Sequence, residues 1–349
     1  MAYISFFRYN STVKNDTIYA IIGIPLDYGT TQEFGYTKEA PSIIRELSDH
    51  ISLMTEREVY FNENLPLVDL GDIVINSNNI DSNNDQTNLN SNNTSFGKET
   101  KIYELKLMNN LVEQIKNKLK YIYKNLESSN LKENKRIPIF IGGNHLVTFP
   151  ILKSLEEFQS LSNISVISLD AHLDFYDIWQ GNKYQHCTVM KRIHELLKNY
   201  SNNKLVIIGT RDIDIEEFQN AKSSNFSNNY LNCYEIFKKS KIHNKNVSEV
   251  IFEFINNILK SDGDNPKTNK VYISIDIDIF DPSIAPATGY PIAGGLLYRD
   301  VLDLLEKLVN SYEIIGIDLV EYMPNLDFKN MMTGFLCTRL IQEIIGFLE

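Results

Sequence analysis

Cysteine is scarce in this chain. Cys187, Cys233 and Cys337 are its only three in 349 residues, and no two form a Cys-x-x-Cys pair. That usage excludes a disulfide framework and a thiolate zinc site, and suits a reducing compartment. Long apolar runs are missing too, since none approaches the roughly 18 residues that span a bilayer. The N-terminus lacks a basic segment followed by a long apolar one, so no signal peptide is expected and the default is a cytoplasmic protein. Positive charge is in deficit: 34 Lys and Arg stand against 45 Asp and Glu, a formal net charge of −11. Nucleic acid selects basic grooves, so that balance argues against it as a partner. A small cationic substrate is compatible with it. With 43% hydrophobic residues the chain can bury a sizeable core and is not a disordered protein.

Short apolar runs rich in β-branched residues recur at 18–24, 67–75, 137–141, 164–169, 205–208, 271–280 and 314–319. Helical patterns follow most of them, at 40–47 with Pro41 near the first turn, then at 147–157, 189–199, 250–260, 297–309 and 338–348. Between 101 and 126, Leu105, Met108, Val112, Ile115, Leu119 and Ile122 recur at steps of three and four, the stripe of a core-facing helix. Residues 76–98 are dominated by Asn, Ser and Asp. So little packing material cannot offset the entropy of ordering, and a flexible surface insertion is expected there. The strand and helix pattern resumes after it, which predicts one α/β domain over 1–349. Nearly continuous apolar strands alternating with helices indicate a parallel sheet covered on both faces. In such sheets ligands bind beyond the carboxyl ends of the strands.

Three polar stretches sit at those ends. Gly142-Gly143-Asn144-His145 follows the 137–141 run, its glycines permitting a tight turn that leaves His145 at the mouth of the sheet. Asp170-Ala171-His172-Leu173-Asp174 closes the 164–169 run, and Asp, His and Asp at alternate positions would share one side of an extended segment. Ser274-Ile275-Asp276-Ile277-Asp278 repeats the alternation, while Asp281-Pro282 reads as a turn. A lone Asp at a strand end is often a helix cap. Several such groups crowded at a buried strand end are unfavourable unless a cation stands between them. Four carboxylates and two imidazoles, with no thiolate, suit two ions of higher coordination better than one tetrahedral zinc. The oxygen-rich set favours Mn²⁺ or Mg²⁺, and the imidazoles tilt the choice toward Mn²⁺. Paired ions about 3.5–4 Å apart can deprotonate a bridging water, so the chemistry expected is metal-assisted hydrolysis.

The three stretches resemble the signature motifs of the ureohydrolase family, which contains arginases and agmatinases. Gly23-Ile24-Pro25-Leu26-Asp27, Ala285-Pro286-Ala287-Thr288-Gly289 and Gly316-Ile317-Asp318-Leu319-Val320-Glu321 extend the likeness from near Ala20 to the C-terminus, apart from the Asn-rich insertion. The resemblance implies a three-layer α/β/α fold with a mostly parallel sheet of about eight strands, assembled as a homo-trimer or homo-hexamer. It implies two Mn²⁺ ions per subunit, with His145 and Asp174 on one, His172 and Asp278 on the other, and Asp170 and Asp276 bridging. Glu321 falls where the family pairs a carboxylate with the substrate guanidinium, a geometry suited to bidentate hydrogen bonds. His186, in Gln185-His186-Cys187, resembles a family histidine that shuttles protons. The implied reaction is hydrolysis of a guanidino compound by a metal-bridging hydroxide, releasing urea and an amine.

From Asp174-Phe175-Tyr176-Asp177 to Thr188 the sequence is more similar to agmatinases than to arginases, whose polar loop for the amino-acid end is not evident. Agmatine is therefore the expected substrate, yielding putrescine and urea. Arginine, guanidinobutyrate, guanidinopropionate, formiminoglutamate and guanidine share the chemistry and stay open. Three positions depart from the family pattern: Asn144 stands where an acidic residue is usual, Leu146 where Ser is common, and Ala287 where Gly is usual. Two other classes compete, a non-catalytic regulatory relative that keeps the metals and a single-zinc deacetylase of similar architecture. The filled ligand set with Glu321 and His186 argues against the first, and the number of carboxylates against the second. Cys187, His50, His194 and His243 are expected to be structural. Trp179 fits an entrance, a core or a surface role equally.

Overall fold

A computed structural model describes residues 5–8, 18–29, 36–62, 64–75, 96–123, 136–159, 163–200, 202–260 and 269–349. In chain order these form β1 (Tyr19–Ile24), α1 (Ala40–Ser48), β2 (Leu67–Asp72), α2 (Phe96–Tyr123), β3 (Ile137–Gly142), α3 (Thr148–Leu155), β4 (Ile164–Leu169) and α4 (Val189–Leu197). There follow β5 (Lys204–Thr210), α5 (Ile215–Ser223), β6 (Tyr230–Asn232), α6 (Cys233–His243), α7 (Val247–Leu259), β7 (Lys270–Asp276), α8 (Tyr298–Ser311), β8 (Glu313–Val320) and α9 (Met332–Leu348). The strands make one eight-stranded sheet in the order β2-β1-β3-β8-β7-β4-β5-β6, and every strand pair in it is parallel.

Alternation along each strand divides the core into two layers. Ile139, Ile141, Ile167, Leu169, Ile273, Ile275 and Ile317 face α1, α7, α8 and α9. Phe140, Ile164, Val166, Leu205, Ile207 and Tyr272 face α2, α3 and α4. Strands buried on both faces need no polar alternation, which is why they read as continuous apolar runs. The fold is the three-layer α/β/α expected. No helix among the described residues is long and apolar enough to cross a membrane.

Several boundaries differ from the sequence expectation. The apolar run at 271–280 is not one strand: β7 stops at Asp276 and a single 3-10 turn, Ile277–Ile279, takes over. The segment α5-β6-α6 was missed. Its helices carry polar sequences such as IEEFQNAKS, and its strand is three residues long. Caps rather than periodicity define these helices: Asp214 accepts from Glu216 N–H at 2.8 Å, and Asn232 caps α6 through Glu235 N–H. Of the Asn-rich stretch at 76–98, residues 76–95 lie outside the described residues, and 96–98 open α2.

The connections put chemistry at the centre. The chain passes from β3 to β4 across a gap of two strands, which β7 and β8 fill last. The carboxyl ends of β3, β8, β7 and β4 therefore lie side by side, at the point where strand order reverses. At the β2 edge, buried Arg45 of α1 donates to both oxygens of buried Asp69, at 2.8 and 3.1 Å, and to Asp72 at 2.6 Å. Asp69 also accepts from Phe6 and Gly71 N–H. Removing one member of a buried pair strands the other. Arg45→Met is expected to cost about 3–5 kcal/mol in urea unfolding; a loss below 1 kcal/mol would show that Asp69 is satisfied without it.

Candidate metal centre and substrate cavity

The loop after β3 is shaped by close backbone approach. A Cβ on Gly143 would fall 1.8 Å from the Leu26 carbonyl oxygen, so only glycine lets the two segments meet. Asn144 N–H donates to that same oxygen at 3.0 Å, and His145 begins the 3-10 turn His145–Val147. The departures from the family pattern have packing partners here. The Asn144 side-chain amide donates to the Tyr28 carbonyl, which a carboxylate could not do, and Leu146 is fully buried in the core.

Asp170, His172 and Asp174 do meet, but not by alternation along a strand. β4 ends at Leu169, and Asp174 takes the left-handed backbone conformation with φ 49°. The loop folds back because the Asp170 carboxylate accepts from His172 N–H at 2.7 Å. Asp276 does the same for Asp278 N–H at 2.9 Å, so Asp278 sits on a turn and not on the strand. Aspartates that bond the backbone two residues on are turn-formers. Each stretch thus uses its first carboxylate to curl its later ligands inward. Ala171 N–H donates to Asp278 Oδ1 at 2.9 Å and ties the two loops together.

The result is a buried cluster. His145 Nδ1 lies 3.2 Å from Asp170, 3.1 Å from Asp174 and 3.3 Å from Asp276 carboxylate oxygens. His172 Nδ1 lies 2.8 Å from Asp278 and 3.8 Å from Asp170. Two donor sets, His145/Asp170/Asp276 and Asp170/His172/Asp278, each have ligand atoms within 4.8 Å of one another, and they share Asp170.

The hydrogen-bond network sets the His145 tautomer. Ser274 gives its one hydroxyl proton to buried Asp318 at 2.6 Å, so at 3.0 Å it accepts from His145 Nε2. Nδ1 then carries a lone pair aimed at three carboxylates, and neither Nδ1 nor Asp170 Oδ2 has a hydrogen-bond partner. Acceptors facing acceptors in a buried site require positive charge between them. Protons or a metal ion can supply it. Burial works to lower the His145 pKa, yet the carboxylates of Asp170, Asp174 and Asp276 hold it well above the usual range. Burial, then the neighbouring carboxylates, raise Asp170 and Asp276. Oxygen and imidazole donors without sulfur match a hard divalent cation. The residues fit a metal pair.

Beside the cluster opens a cavity of about 540 Å³. Glu321, with φ 64°, reaches it from the end of β8. Its N–H donates to Gly143 carbonyl at 2.9 Å, and its carboxylate accepts from His145 N–H at 2.7 Å. Burial raises the Glu321 pKa above the usual carboxylate range. His186 also lines the cavity and donates Nδ1–H to the Gly29 carbonyl at 2.6 Å, leaving Nε2 as the acceptor. Burial lowers its pKa.

Three more carboxylates, Asp212, Asp214 and Glu217, line the cavity, and sequence reasoning overlooked them. The signal was Arg211-Asp212-Ile213-Asp214 following the apolar run of β5, the same strand-then-acid pattern as the recognised stretches. Burial pushes Glu217 up to about 8. No Lys or Arg is among the described residues that line this cavity. Arg211 points elsewhere: its guanidinium donates to the carbonyls of Gly209, Asp278, Phe280 and Ile292 at 2.5–3.2 Å. It clamps the ends of β5 and β7 to the loop at 281–296. Trp179 and Cys187 line the cavity, and burial raises the Cys187 thiol. His194 packs against the stacked rings of Phe175 and Phe226, while His50 and His243 are exposed.

If Ser274 and Asp318 hold the His145 tautomer, Ser274→Ala should weaken divalent-metal affinity about 10–100-fold, the usual cost of losing such a support. Competition with a chromophoric chelator measures it. An unchanged affinity would show that the ring is oriented by something else.

The sequence matches the Arginase family over residues 18–346. It is 33% identical to N(1)-aminopropylagmatine ureohydrolase of Thermus thermophilus over 208 residues, 60% of this chain and 61% of that protein. It is 30% identical to mitochondrial arginase 1 of Arabidopsis thaliana over 214 residues, 61% of this chain and 56% of that protein. The chain thus spans about three fifths of the length of these two relatives. Its fold superposes on formimidoylglutamase of Bacillus subtilis with a TM-score of 0.72 at 21% identity, covering 99% of this chain and 91% of that one. With the motifs, the parallel sheet and the carboxylate–histidine cluster at its centre in agreement, the chain belongs to the Arginase family.

Proposed function

We propose that this protein hydrolyses a guanidino compound to urea and an amine with two Mn²⁺ ions. His145 and Asp174 would hold one ion and His172 and Asp278 the other, with Asp170 and Asp276 shared. The observation that carries the reading is the pair of donor sets joined at Asp170, beside a cavity walled by carboxylates. When bound there, paired divalent ions supply hydroxide from water near neutral pH. The chain's own residues do the rest. Glu321 orients the guanidinium through charge-assisted hydrogen bonds. The nitrogen of the cleaved C–N bond needs a proton to leave as an amine, and Nε2 of His186 is the free ring atom that can take and pass one.

Agmatine, or an aminopropyl-extended form of it, fits the cavity best. Its ammonium tail would meet Asp212 and Asp214, whereas the carboxylate tails of guanidinobutyrate or formiminoglutamate would find no Lys or Arg among the described residues of the lining. Assembly as a homo-trimer or homo-hexamer belongs to the same reading.

Metal-depleted protein reloaded with Mn²⁺ is expected to release urea from agmatine in a panel of guanidino and formimino compounds. No urea or ammonia from any of them would sink the proposal, and Asp170→Asn should abolish both metal retention and turnover. Asp212 is exposed and outside the ligand set, so Asp212→Asn probes the tail alone. It should raise the KM for agmatine roughly two- to fivefold, the scale of a solvent-screened ion pair, and leave that for butylguanidine unchanged. Equal effects on both substrates would refute the tail assignment.

A further inference from the structure

Tyr290 stands on the loop between β7 and α8, and no role assigned so far involves it. It lines the cavity and is 43% exposed, at the mouth. Its ring lies parallel to that of His186, within 9° at a centroid distance of 6.5 Å. It also meets His172 edge-to-face at 6.2 Å. One aromatic side chain therefore adjoins both the proposed proton carrier and a proposed metal ligand. The loop beneath it is anchored: Asp281 accepts from the N–H groups of Ser283, Gly294 and Gly295, and Arg211 holds the Ile292 carbonyl.

We propose that Tyr290 is a specificity-determining residue whose ring forms the aromatic wall of the mouth and selects a planar guanidinium head group. This rests on the ureohydrolase reading of the same site. Carboxylates attract any cation, and beyond the N–H fork that Glu321 can engage they cannot distinguish the flat face of a guanidinium from an ammonium. An aromatic face can, because guanidinium is planar, weakly hydrated and stacks on rings, whereas ammonium is a compact and strongly hydrated charge. The position beside His172 and His186 sets the contact at the metal end of the cavity, where the head group must lie to be cleaved. Glu321 then reads the charge and the N–H edge of the head group, and Tyr290 reads its flat face.

The test compares Tyr290→Phe with Tyr290→Leu. The ring alone is required, so Phe should keep KM for agmatine within about twofold. Leu should raise it about three- to thirtyfold, the range of a partly desolvated cation–π contact, with kcat much less affected and metal content unchanged. An unchanged KM in Leu, or a Phe variant as impaired as Leu, overturns the proposal. Loss of metal from Leu would make Tyr290 a scaffold residue and overturn it as well. A second measurement does not depend on turnover: calorimetric binding of methylguanidine and of methylammonium to the metal-free protein. The wild type should prefer methylguanidine and Leu should lose that preference. Absence of the preference in the wild type refutes the role of Tyr290, whereas its presence without urea release from any substrate refutes only the ureohydrolase reading.

Discussion

Unresolved negative charge at the ends of the central strands is the constraint on which the rest of this structure depends. Asp170, Asp174 and Asp276 converge on one imidazole nitrogen at 3.1–3.3 Å, and Asp278 and His172 join through Asp170. Such a cluster is stable only around positive charge. A folded chain that keeps it so deeply buried has been shaped for an occupant. The Ser274–Asp318 pair makes the same point from behind, since it holds the proton on Nε2 and so bares Nδ1.

The sheet exists in the order that serves this cluster. β7 and β8 close the gap between β3 and β4, and every proposed metal ligand, with Glu321, then comes from the four adjacent strand ends. Register is exact enough for chemistry: Ser274 lies across from Asp318 on β8 and from Ser168 on β4, and Asp170 and Asp276 each follow two residues beyond their serine. Around that floor the loops differ in task. The 281–296 loop, clamped by Arg211, brings the ring of Tyr290 to the cavity, and the end of β5 brings Asp212 and Asp214.

Most of the fold was legible because strands buried on both faces leave unbroken apolar runs, and Lys204–Thr210 or Ile164–Leu169 can be read with little ambiguity. α5 and α6 were not, since their stability comes from caps and a partly buried face rather than from a strong stripe. In the site, the six ligand candidates were legible from residue type and position at strand ends. The reason offered for their convergence was wrong. Alternation along an extended strand was expected, and instead Asp170 and Asp276 fold their own loops back by accepting N–H groups two residues on.

The linear sequence by itself determined the α/β class, the acids and histidines of the cluster, and the family to which they belong. Those are matters of residue type and local order, and local order survives in one dimension. Only the tertiary structure decided that His145 offers Nδ1, and that Asp212, Asp214, Glu217 and Tyr290 face the same cavity. These depend on distances between strands far apart in the chain, and on which proton a serine gives away, which no spacing of residues encodes.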